Sequence, residues 1–182
     1  MCLVFVVVVH VFVGTTCGSA AVLGLWRKIR RTGRVAEPAA PLDVGGVSPI
    51  AATLGGSVQV RHVDAGSCNG CEVEIGSVFG PVYDAERYGA RLVASPRHAD
   101  ALLVTGPVTR NMATPLRRTY EAVPGPKVVV AVGDCARNCG VFAGAYGVAG
   151  AVRDVVPVDV EIAGCPPRPE AIVEGLRKLT GR

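Results

Sequence analysis

The chain has 182 residues, 49% of them hydrophobic and only 5% aromatic, with a net charge of +4. That length supports one buried core with an extension rather than two full domains. Residues 1–57 carry five basic and two acidic side chains and residues 58–182 carry fourteen and thirteen, so the larger part is nearly neutral; with no basic stripe interleaved with aromatics, nucleic acid is excluded as a partner.

Residues 2–26 contain no charged side chain apart from a proton on His10, and RKIRR occupies 27–31. The run is long enough to span a bilayer, although Gly14, Thr15, Thr16, Gly18 and Ser19 interrupt it. The basic cluster would put its C-terminal side in the cytoplasm. A secretory signal fits less well, because no basic region precedes the apolar one. Residues 1–32 therefore read as an apolar segment with a basic end that contacts a membrane or a partner, or as translation from a mistaken start. Trp26 reads as an interfacial anchor or an ordinary exposed aromatic. Residues 33–57, rich in Gly, Pro and Ala, read as a linker, and residues 58–182 as the folded domain.

In that domain strands are expected over 57–64, 91–95, 100–106, 127–134 and 158–164. Helices are expected over 71–80, 112–123 and 168–179. Short, near-continuous apolar strands separated by helices indicate an α/β fold of three layers, a flavodoxin-like, mostly parallel sheet covered on both faces.

Seven cysteines are an odd number in a chain too large to need disulfide staples. Metal-bound thiolates would instead imply a reducing compartment, the cytoplasm. Cys68 and Cys71, Cys135 and Cys165 each come just after the C-terminal end of an expected strand, the edge where open α/β sheets bind ligands. Four converging thiolates select zinc or an iron–sulfur cluster. A structural zinc site favours two close pairs of ligands, whereas Cys135 and Cys165 stand singly. A thioredoxin-like pair would use Cys68 and Cys71 and leave the other two idle. A [4Fe–4S] cluster uses all four, and Cys165–Pro166 shares the Cys-Pro step of ferredoxin runs. No Walker or G-x-G-x-x-G pattern occurs, and three histidines lack paired spacing.

GSCNGCEVEI, YDAERYGARLVASPRHADALLVTGPVTRNM, PKVVVAVGDCA and PVDVEIAGCPPRPEAIVEGL, in that order, resemble the iron–sulfur small subunit of energy-converting [NiFe] hydrogenases, of formate hydrogenlyase, and of NADH:quinone oxidoreductase, where it is the 20 kDa (B) subunit. The resemblance covers about residues 58–180. It implies one [4Fe–4S] cluster held by Cys68, Cys71, Cys135 and Cys165 in an electron-transfer subunit on the cytoplasmic face of the cell membrane. It also implies a large catalytic subunit, of the hydrogenase or complex I 49 kDa type, with other iron–sulfur and membrane subunits as partners. The alternative is a zinc- or cluster-bearing scaffold without electron-transfer duty. Cys-x-x-Cys at 68–71 resembles the hydrogenase branch, because the quinone-reductase branch has adjacent cysteines there.

GDCARNCG departs from the family: Cys139 stands where the first of two glycines is typical. It reads as a spare buried thiol, an alternative ligand or a redox-sensitive site. The resemblance also gives Glu74 a part in proton movement near the cluster, against the plain reading of an ion-paired helix carboxylate. Arg97 and His98 are expected to tune the cluster potential or to serve an interface. Met112 and the loop 106–111 are expected to face the large subunit, and Glu72 reads as a bland surface carboxylate.

Overall fold

The computed structural model describes residues 19–33 and 51–182. Residues 2–18 of the expected apolar run 2–26, with Cys2 and Cys17, and most of the expected linker lie outside the described residues. The chain divides into two compact units, residues 1–41 and 42–182. In the first, Ser19–Thr32 is helix α1. It ends at Gly33, whose left-handed φ of +63° suits a residue without a Cβ and whose N–H donates to the Ile29 carbonyl at 3.0 Å. Among the described residues, no helix is long and apolar enough to cross a membrane.

In the second unit the described residues open on the short helix α2, Ala51–Leu54, inside the stretch expected to be a linker, and Leu54 packs against the core. Strand β1 (Val58–Asp64) leads to helix α3 (Gly70–Val78), then β2 (Ala90–Leu92), β3 (Ala101–Thr105) and the two-residue β4 (Val108–Thr109). Next in the chain are helix α4 (Arg110–Ala122), β5 (Val128–Val132), helix α5 (Asp134–Asn138), β6 (Val148–Gly150), β7 (Val160–Ile162) and helix α6 (Pro169–Thr180). The three helices and five strands expected for the domain all form. Short β4 and β6, which pair antiparallel in a small second sheet, and five-residue α5 are additions that two to five residues of pattern do not announce.

The main sheet is wholly parallel in the order β2-β1-β3-β5-β7, the flavodoxin-like doubly wound order. All ten side chains of β3 and β5 are buried, which is why both strands read as continuous apolar runs. On one face Leu103, Val130 and Val132 pack with Ile75 and Val78 of α3 and Ile172, Leu176 and Leu179 of α6. On the other, Leu102, Val104, Val129 and Ala131 pack with Leu116 of α4 and Ala136 of α5. Register then sets the position of the site. Asp64 lies opposite Thr105, Thr105 opposite Val132, and Val132 opposite Ile162. Four strands therefore end on one line across the sheet, and the loops after them share one edge.

Candidate metal centre

Cys68 and Cys71 after β1, Gly106 after β3, Asp134 and Cys135 after β5, and Gly164, Cys165 and Pro166 after β7 line one cavity of about 190 Å³. The four thiols expected from the sequence are thus brought to one place, and none is in a disulfide. Cys71 and Cys135 are buried while Cys68 and Cys165 are exposed, so two sulfurs form the floor and two the rim.

Each cysteine is set by its own local device. The Asp64 carboxylate accepts the N–H of Gly66 at 2.8 Å and of Ser67 at 2.7 Å, and the Ser67 hydroxyl accepts the Asn69 N–H at 3.0 Å, folding the loop that delivers Cys68. Partial burial works against that carboxylate, but the Ser67 and Gly66 N–H groups outweigh it and hold Asp64 below the usual carboxylate pKa. Across the cavity, Asp134 Oδ1 accepts the Gly164 N–H at 3.1 Å and Arg137 Nη1 at 3.2 Å, while the Asp134 N–H donates to the Gly164 carbonyl at 2.9 Å. Arg137 Nε reaches Glu161 at 3.0 Å, and Arg153 caps the Arg137 carbonyl at 2.6 Å. The loops of Cys135 and Cys165 are thereby tied to each other.

Burial, then Glu72 and the thiols of Cys135, Cys68 and Cys165, push the Cys71 thiol up to about 12. Cys135 is also raised, by burial and by Cys165 and Cys68, while the Val141 N–H works the other way. Two buried thiols, Cys71 and Cys135, whose ionisation is opposed by burial and by neighbouring groups suit a cationic, thiophilic occupant that neutralises them. The walls leave room for it: a Cβ on Gly133, whose φ is +86°, would lie 2.7 Å from the Cys71 sulfur. Among the described residues, no set of three or more His, Cys, Asp or Glu side chains is placed to grip a single metal ion.

The other candidates lie elsewhere. Glu74, half-buried, does not line the cavity; the Tyr83 hydroxyl donates to Glu170 at 3.1 Å, and that bond, with the charge of Glu74, raises the Tyr83 phenol. Arg97 and His98 are exposed in the 3₁₀ turn Pro96–His98, away from the cavity lining. Cys139 is half-buried, and its thiol is raised by burial and by Asp154, with none of the four cavity thiols contributing. Met112 lines a separate cavity of about 650 Å³ with Arg61, His62, Pro96, Pro115 and Thr119.

Glu72 is not bland. Its carboxylate accepts the hydroxyl of fully buried Thr105, which leaves His62 Nε2 to donate to that oxygen at 3.0 Å, and Glu72 Oε2 is buried without a hydrogen-bond partner. Burial lowers the His62 pKa, more than Glu72 and Asp64 raise it. The signal was present in the polar residues of the strand ends HVD and LVT, whose adjacency only strand pairing reveals.

The family model for the NADH ubiquinone oxidoreductase 20 kDa subunit matches residues 68–179. A probable membrane-bound hydrogenase subunit of Pyrococcus furiosus is 50% identical over 123 residues, 68% of this chain and 74% of that protein. Formate hydrogenlyase subunit 7 of Escherichia coli is 47% identical over 125 residues, 69% of this chain but 49% of its own length, so the chain spans about half of that relative. A chain in the solved structure of the membrane-bound sulfane sulfur reductase, an archaeal respiratory membrane complex, superposes with a TM-score of 0.63 at 37% identity over 72% of both chains.

Proposed function

The chain belongs to the NADH ubiquinone oxidoreductase 20 kDa subunit family, and from that membership we propose that it is the electron-transfer subunit of a membrane-associated oxidoreductase, holding one [4Fe–4S] cluster on Cys68, Cys71, Cys135 and Cys165. The observation that carries this reading is the meeting of four thiols, delivered by the loops after β1, β5 and β7, around one glycine-walled cavity. A structural zinc site favours two close pairs of ligands; here Cys135 and Cys165 come singly from separate loops, which suits a polynuclear cluster instead. When bound, the cluster supplies one-electron storage. The chain's own residues do the rest. Asp64 and Asp134 hold the ligand loops, and Gly133 keeps a Cβ away from the Cys71 sulfur.

The exposed rim is where electrons would leave or enter. Val141, whose N–H bears on Cys135, has 82% of its surface exposed. An exposed apolar side chain bonded next to a cavity cysteine, as Val141 is, suits a subunit interface, and the proposed occupant is the large catalytic subunit of a hydrogenase or complex I type. Cys-x-x-Cys at 68–71 favours the hydrogenase side of the family. Substrate chemistry is assigned to that partner, with other iron–sulfur and membrane subunits completing a complex on the cytoplasmic face of the cell membrane.

Protein purified anaerobically should carry about four irons and four sulfides per chain, with an optical band that bleaches on reduction. Cys135→Ser should abolish this signal and Cys139→Ser should preserve it. Stoichiometric zinc without sulfide would overturn the assignment.

A further inference from the structure

Helix α1 lies upstream of the family match and has no part in the thiol cavity. At 3.6 residues per turn, Leu25, Trp26 and Ile29 fall within an arc of about 100°, and each has more than half of its surface exposed. Arg27, Lys28 and Arg31 fall within a second arc of about 100° on the opposite side, and together with Gly24 and Thr32 they line one open depression. Arg30 lies between the two faces, and no acidic side chain occurs anywhere in the helix.

We propose that α1 is a docking surface for an anionic lipid bilayer, lying in the plane of the interface with Leu25, Trp26 and Ile29 among the acyl chains and its cations at the headgroups. Two features favour lipid over a protein partner. An apolar face of three large side chains opposite a strongly cationic face is the pattern of interfacial helices. Four cations without one acid find complementary charge along the whole of an anionic surface, where each basic side chain adds to partitioning. A tryptophan at the boundary places its ring at headgroup depth.

Trp26 is the single tryptophan, so its fluorescence reports this helix alone. Full-length protein is titrated with vesicles of phosphatidylcholine and with vesicles of phosphatidylcholine plus phosphatidylglycerol. The expected result is a blue shift and intensity gain with the anionic vesicles only, reversed by added salt. The double variant R27Q/K28Q should lower partitioning roughly tenfold or more at low ionic strength, and L25D/I29D should abolish the shift. The cavity chromophore, read in the same samples, stays unchanged, so loss of lipid binding and loss of the cofactor are separate outcomes. An unmoved Trp26 spectrum with anionic vesicles overturns the proposal and assigns this face to a protein. An equal shift on both vesicle types, or one that R27Q/K28Q keeps at full strength, overturns it as well.

Discussion

The wall of the cavity that carries Cys68 and Cys71 is held by side-chain hydrogen bonds spanning two or three residues, from Asp64 and Ser67. The wall that carries Cys135 and Cys165 is held by contacts spanning 24 and 30 residues, from Arg137 to Glu161 and from Gly164 to Asp134. The side-chain bonds of the first lie within its own dozen residues, and its backbone is joined to the sheet at Ala65, whose N–H donates to the Thr105 carbonyl at 3.0 Å and whose carbonyl accepts the Thr109 N–H at 2.9 Å. The second exists only once β5 and β7 lie side by side, because Val132 must face Ile162 before Asp134 can meet Gly164. The side-chain bonds of one wall are local and those of the other are a product of the sheet, so substitutions in the two should fail differently.

The largest effect is expected where the walls touch. Gly133, which opens α5, holds a φ of +86°, and a Cβ there would stand 2.7 Å from the sulfur of buried Cys71. Gly133→Ala adds backbone strain of about 1–3 kcal/mol, because a φ of +86° with a ψ of 161° falls in a region that essentially only glycine occupies, and drives a methyl group against a thiol that packing prevents from retreating. Most bound iron should be lost while far-UV circular dichroism stays near that of the parent. Gly144→Ala is the control, because Gly144 has a φ of +79° and nothing within 4 Å of an added Cβ. It carries the strain without the contact and should keep its iron. Equal iron loss in both variants would remove the close approach from the explanation.

Next come the two aspartates. Asp134→Ala leaves the Gly164 N–H and Arg137 without their acceptor and should cost about 1–2 kcal/mol, the range for charge-assisted hydrogen bonds reduced by partial exposure. Asp64→Ala should cost about 1 kcal/mol or less, because its two N–H groups stand at an exposed turn where water can replace the carboxylate. Iron release to a chelator should accelerate more in the Asp134 variant. The Asp64 carboxylate also has a pH signature. Its folded pKa is depressed, so its contribution is complete above the unfolded value of about 3.9 and is lost as pH falls through the folded value. Asp64→Asn should flatten the acid limb of the stability curve below about pH 4, and an unchanged limb would remove this residue from the account.

The same contrast explains what could be read from the sequence. Strands β3 and β5 were legible because burial on both faces leaves a run of apolar residues, and Cys-x-x-Cys was legible because both ligands of the near wall lie within four residues. That Cys135 and Cys165 stand after strands was also legible. What holds them was not: Asp134, Arg137, Glu161 and Arg153 look like ordinary surface charges until β5 and β7 are paired. Glu72 looks bland for the same reason, since its partners Thr105 and His62 sit on neighbouring strands. Helix α2 was hidden because four residues are too few to show a period.

The smallest effect belongs to a position beside the far wall. Cys139, at the end of α5, has a φ of +66°, donates its N–H to the Cys135 carbonyl at 2.9 Å, and is succeeded by Gly140 at +47°. Two successive left-handed residues turn the chain sharply behind Cys135, and a Cβ at position 140 would stand 3.1 Å from the Cys135 sulfur. The second of the two therefore has to be glycine, while the first, where the family typically has glycine too, tolerates a side chain at the cost of strain. Left-handed strain of about 1–2 kcal/mol would be relieved by Cys139→Gly, and the greater freedom of glycine in the unfolded chain offsets about 0.5–1 kcal/mol of that gain. The net expectation is a stabilisation of a few tenths to about 1 kcal/mol, read as a higher denaturant midpoint with an unchanged slope. Iron content should not move, because the thiol at 139 is coupled to Asp154 and not to the cavity thiols. A variant that gained no stability would mean that the sulfur contributes packing equal to the strain, and one that lost iron would bring Cys139 into the ligand set and break the division between the two walls.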